Sequence, residues 1–118
     1  IQADDGTLRP GVREVFSSLI EQGHLIYIWS GIGIRWTDIR RHNLQDLVQD
    51  VFLKPIFKYK EETARLPVYP DFIVDDHPEI VKELGGLQVE PYWTKDDSDT
   101  EMQRVYIAIQ NHLKDKRN

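Results

Sequence analysis

The sequence predicts an α/β domain in which parallel strands alternate with helices to form a three-layer sandwich, and three observations carry that expectation. Two segments, one near each end, repeat their apolar residues with helical spacing. Short apolar runs bounded by glycine or proline lie between them, and one of these stops abruptly in two adjacent carboxylates, Asp75 and Asp76. Strands that alternate with helices pair in parallel through right-handed crossovers. The expected order is helix, strand, helix, strand, strand, helix, strand, helix, with no repeat or linker dividing residues 1–118.

Residues Ile1 to Leu8 are polar, contain Asp4, Asp5 and Gly6, and read as a turn or loop. A helix follows from Pro10, because Val12, Val15, Phe16, Leu19 and Ile20 fall on one face and Gly23 supplies a stop. Leu25-Ile26-Tyr27-Ile28-Trp29 is continuously apolar, as expected of a strand covered on both faces, and it ends in Ser30-Gly31. A second helix is expected from Trp36 or Thr37 to about Gln49, with Leu44, Leu47 and Val48 inward. Val51 to Ile56 reads as a strand shortened by Pro55. Residues Phe57 to Tyr69 read as a loop with one helical turn at Glu61 to Arg65.

Phe72 to Val74 then forms a short buried strand, Pro78 to Leu84 a helix closed by Gly85-Gly86, and Leu87 to Tyr92 a last strand. Asp76 or His77 is the expected N-cap, with Pro78 at the first helical position. Ser98 and Glu101 have the spacing of a capping box, and Met102, Val105, Tyr106, Ile109 and Leu113 form the inner stripe of a C-terminal helix.

Composition narrows the function classes. A formal charge of −5 and no basic run argue against nucleic-acid backbone binding as the main activity. The chain has no cysteine, so disulfide frameworks and thiolate chemistry are excluded, and a reducing compartment fits. No apolar run approaches the roughly 20 residues of a membrane span, and no secretory leader is visible. A cytoplasmic protein is the expectation, and nothing in the sequence sets its oligomeric state.

Asp75 and Asp76 carry the most specific chemistry. They stand at the carboxyl end of a strand, the edge at which open parallel sheets bind ligands. Two neighbouring carboxylates repel unless a cation or a donor compensates them, and Mg²⁺, which takes carboxylate oxygens and keeps waters for a phosphate to replace, suits the pair. His77 has no second histidine at ligand spacing. Gly31-Ile32-Gly33-Ile34-Arg35-Trp36 half-matches a dinucleotide loop, but Trp36 occupies the place of the third glycine.

Leu8-Arg9-Pro10-Gly11-Val12 opening a helix, the strand ending Tyr27-Ile28-Trp29-Ser30-Gly31, a lysine-bearing segment, and Ile73-Val74-Asp75-Asp76-His77-Pro78-Glu79 together resemble the haloacid dehalogenase superfamily of phosphatases. The likeness spans nearly the whole chain in order. It implies a Rossmann-like, mostly parallel sheet in the compact, uncapped form of that fold, Mg²⁺ as cofactor and a small phosphorylated substrate. It also implies phosphoryl transfer to an aspartate of a D-x-D-x-T motif, followed by hydrolysis.

Carried over by resemblance, Ser30 and Gly31 bind the phosphoryl oxygens and Asp75 and Asp76 hold the metal, with Asp76 the more direct ligand and Glu79 anchoring the loop or a metal-bound water. Lys54, Lys58 and Lys60 compete for the lysine position. Lys60, nearer the acidic strand, stands slightly ahead of Lys54. The first motif departs from the pattern. One register of Asp4-Asp5-Gly6-Thr7 puts Ala3 at the nucleophile position and Asp5 at the general-acid position. The favoured register places the D-x-D-x-T motif and its central strand before Ile1. The alternative to an enzyme is a non-catalytic domain of the same fold that binds a phosphorylated ligand or partner.

Overall fold

A computed structural model of the protein describes residues 1–3 and 5–117, with the helical backbone alone at 116 and 117. Among the described residues it is a mixed α/β fold of five helices and two small parallel sheets. The N-terminal segment turns back on itself. Ala3 N donates to Thr7 O (2.8 Å), Arg9 N to Ile1 O (2.6 Å), and Gln2 and Leu8 form an isolated antiparallel bridge.

Helix α1 spans Val12–Glu21 and buries Val12, Val15, Phe16 and Leu19 of the expected stripe, while Ile20 is only half-buried. Its end is a Schellman motif: His24 N donates to Leu19 O and Gly23 N to Ile20 O, with Gly23 at φ 91°. Strand β1, Tyr27–Ser30, pairs in parallel with β2, Asp50–Leu53, opposing Tyr27 to Asp50 and Ser30 to Leu53. Every residue of β1 is half-buried, and Leu25 is exposed before the strand begins. Between the two strands lies α2, Trp36–Arg41.

The long helix expected to reach Gln49 therefore stops early. Asn43 adopts φ 57°, and Leu44 N donates to Ile39 O while Asn43 N donates to Arg40 O. This is a second Schellman stop with asparagine in the glycine position, and the Arg13 guanidinium donates to the exposed carbonyls of His42 and Asn43. Leu44 and Val48 are still buried and Leu47 half-buried against the same core, but from non-helical backbone beyond α2.

Helix α3, Tyr59–Ala64, replaces the single turn expected at Glu61 to Arg65. Strand β3 is only Val74–Asp75 and β4 only Leu87–Gln88; they pair in parallel, and α4, Pro78–Leu84, connects them. The C-terminal helix α5 spans Glu101–Arg117. Its start corrects the capping-box expectation. Ser98 N and Oγ donate to Asp96 Oδ1, and the Glu101 carboxylate is turned to Glu90 N and Arg104.

The main core gathers α1, Ile39, Leu44, Val48, Val51, Val89, Met102 and Val105, packed on one side of β1–β2 by Ile28. A smaller cluster of Tyr59, Ile73 and Ile80 takes Trp29 and Leu84 on the other side. Strand alternation explains the division, since Trp29 points away from the face that carries Ile28.

Candidate functional site

The carboxyl ends of β1, β2 and β3 meet at Asp75, whose side chain is almost wholly buried. Burial of an ionised carboxylate requires donors, and Asp75 has several. Trp29 Nε1 donates to Oδ2 (2.9 Å), His77 N donates to Oδ1 (2.9 Å), and Lys54 Nζ approaches both oxygens at 3.3 and 3.4 Å. Trp29 reaches Asp75 because it lies on the face of β1 opposite Ile28. Lys54, the first residue after β2, is anchored by its own N–H, which donates to Ser30 O at 2.9 Å.

Asp75 is thus a loop organiser. Both of its oxygens are engaged by protein donors, so it offers no free lone-pair direction comparable to that of its neighbour. Asp76 is exposed and carries no hydrogen bond or ion pair among the described residues. Of the acidic pair, Asp76 is the carboxylate open to a cation. A single protein carboxylate fits Mg²⁺, which keeps several waters and takes its remaining ligands from substrate phosphates. Among the described residues no group of three or more His, Asp or Glu side chains is arranged to enclose a metal.

His77 caps α4. Its Nδ1 accepts from Glu79 N at 3.3 Å, and Pro78 occupies the first helical position, as the sequence suggests. Glu79 accepts from the Tyr59 hydroxyl (3.4 Å), tying α4 to α3. Burial, with the Glu79 carboxylate beside it, pushes the Tyr59 hydroxyl above its ordinary value.

Ser30 ends β1 with its Oγ accepting from Ile32 N (3.3 Å), a small side-chain turn that leaves the hydroxyl proton available to a ligand. Gly31 is exposed and lies against Lys54: a Cβ placed there would sit 3.7 Å from Lys54 Cε. Ser30, Gly31, Lys54 and Asp75 are accordingly brought together at one edge. Lys60 is not. It is exposed on α3 with no ion pair among the described residues, and Lys58 precedes that helix at φ 51°. Asp5 is exposed, and its carboxylate accepts from Thr7 N (2.9 Å), which holds its pKa below the usual carboxylate range.

Trp29 is the member of the site that sequence reasoning missed. Its signal is the polar edge of an indole in a buried strand, since a buried Trp N–H finds an acceptor. Among the described residues no helix is long and apolar enough to cross a membrane. No family model, curated protein or solved structure matches the chain.

Proposed function

We propose that the domain is a Mg²⁺-dependent phosphomonoester hydrolase of the haloacid dehalogenase type, acting on a small phosphorylated metabolite, with β1–β2 and β3–β4 as the two halves of a three-layer, Rossmann-like frame. The observation that supports this reading is the meeting of Lys54, the Ser30-Gly31 turn and Asp75 at the carboxyl ends of parallel strands, with exposed Asp76 next in the chain. Phosphoryl transfer needs cationic and hydrogen-bonding groups around the equatorial oxygens more than it needs covalent chemistry from the protein.

Each residue has a role that its surroundings suit. Asp75 and Trp29 fix the Lys54 ammonium, which presents a positioned charge to the phosphoryl group. Ser30 donates its hydroxyl proton to a phosphoryl oxygen. Asp76 would hold Mg²⁺, which when bound neutralises charge on the phosphate. By the same resemblance, an aspartate carboxylate is the nucleophile. It takes the phosphoryl group as the alcohol departs, and water then releases phosphate.

A second reading, a non-catalytic phosphate-binding domain, is favoured by Ala3 and Asp5. In the register that uses them, Ala3 cannot be phosphorylated, and Asp5 is an ionised acceptor for Thr7 N–H that has no proton to give near neutral pH. Hydrolysis of p-nitrophenyl phosphate with Mg²⁺ tests the enzyme reading. We expect Asp76→Asn to lower kcat/KM by about 100-fold or more. Turnover that survives this change, or chelation, overturns the metal role. If turnover is absent while Mg²⁺ with orthophosphate raises Tm, the binding reading stands instead.

A further inference from the structure

The carboxyl ends of β1 and β2 and the loops that leave them carry exposed apolar residues. Ile32 and Ile34 follow Ser30, and Leu53, Ile56 and Phe57 flank Lys54 in the same way; they are between 57% and 81% exposed. These five make up half of the ten large hydrophobic residues exposed among the described residues, and the others lie on separate elements. The two loops start side by side, since Lys54 N donates to Ser30 O and Gly31 packs against the Lys54 stem. Scattered exposed apolar residues need no explanation, whereas a concentration of them beside polar groups marks a binding surface.

We propose that this rim receives the alcohol half of the ligand, and that the ligand is a phosphomonoester of an aromatic alcohol. The proposal rests on the phosphate-handling reading above and adds the substrate class. In that reading Lys54 and Ser30 meet the phosphate and Asp76 would hold a cation there, while the exposed isoleucines and Phe57 lie on the chain segments that start side by side at Ser30 and Lys54 and offer apolar and aromatic surface. A sugar phosphate would set its hydroxyls against the side chains of Ile32 and Ile56, which can neither donate nor accept. An aromatic ring loses no hydrogen bonds there and gains offset or edge contact with Phe57.

Calorimetric titration with Mg²⁺ present compares 1-naphthyl phosphate, glycerol 2-phosphate and orthophosphate on the intact chain and on Ile56→Ser/Phe57→Ser. Both positions are exposed, so the fold tolerates the change, and circular dichroism verifies it. We expect the naphthyl ester to bind about tenfold tighter than the glycerol ester. In the double variant that ratio falls to about one third or less of its original value, with orthophosphate affinity unchanged. Equal affinity for the two esters, or a ratio the variant does not move, overturns the proposal while orthophosphate binding preserves the underlying reading. If orthophosphate binds neither protein, the phosphate reading itself fails and the proposal with it. A dimer that the double variant dissolves assigns the rim to a second copy of the chain, and overturns the proposal as well.

Discussion

Glu101 collects three hydrogen bonds: Arg104 donates to it through Nε (3.0 Å) and Nη2 (2.7 Å), and Glu90 N donates at 2.8 Å. The Arg104 bonds chiefly, opposed by burial and aided by Glu90 N–H, pull its pKa from the ordinary 4.5 to about 2. A carboxyl whose folded pKa is depressed stabilises the fold above its unfolded value and loses that contribution as pH falls through the folded one. Arg104 is about half-exposed, so screening trims the contribution to about 1–2 kcal/mol. Urea unfolding of Glu101→Gln should therefore show a loss of that size at neutral pH which vanishes near pH 2, giving a flatter stability profile between about pH 4.5 and 2. Parallel profiles for the two proteins would remove Glu101 as a source of acid sensitivity. At this scale the sequence marks where charge is concentrated, as at Asp75, but not its partners: the carboxylate expected to hold a metal is engaged by Trp29, His77 N–H and Lys54, and spacing misleads where two partners compete for one side chain. The spacing of Ser98 and Glu101 suggests a reciprocal cap, yet charged Arg104 is the stronger donor for Glu101 and Asp96 is nearer to Ser98.

Elements with local stop signals are the ones whose ends can be read from the chain. Pro78 and Gly85 bound α4 at the residues that the sequence indicates, and Gly23 ends α1. Asn43 ends α2 by the same left-handed geometry, but asparagine is a weaker signal than glycine, and the inward spacing of Leu44 and Val48 continues past it. Strand ends depend on partners: β3 and β4 shrink to two residues each because pairing, which no local pattern encodes, extends no further. Where they do pair, Gly86 permits the approach. A Cβ at Gly86 would sit 2.0 Å from Ile73 O and 2.9 Å from Ile73 C, and its φ of 100° is itself unfavourable for other residues. The clash is with backbone that already accepts from Leu87 N at 2.8 Å, so it cannot be relieved by a rotamer change. Gly86→Ala should cost about 3 kcal/mol or more in denaturant unfolding, against about 1 kcal/mol for Gly23→Ala, which shares the left-handed φ but meets open space. Equal costs at the two positions would mean that β3 and β4 can separate without penalty.

Across the whole molecule, the helical stripes and the face that each apolar residue takes are local information, which is why the core residues of α1 and α5 are legible. Contacts between distant segments are not. No pattern in the chain announces that Arg9 and Asp99 meet, yet their pairing fastens the entry to α1 against the entry to α5. The guanidinium donates through Nε (2.7 Å) and Nη2 (2.9 Å) to the two carboxylate oxygens and lies 5.2 Å from the Tyr92 ring centroid. Arg9 is only 4% exposed, so the fork is shielded from both water and salt. Removing one partner of such a pair costs more than the pair contributes, because the other charge stays behind in a poorly hydrated place. Arg9→Met, which keeps most of the stem volume, should therefore destabilise by about 3 kcal/mol. Asp99→Leu on that background should restore part of the loss by removing the stranded carboxylate. Raising NaCl from 0.1 to 1 M should change the wild-type midpoint little in comparison. A single Arg9→Met variant within about 0.5 kcal/mol of the wild type would place the contact among surface ion pairs of small worth, and the two helix entries would then be held by Met102 and the apolar core alone.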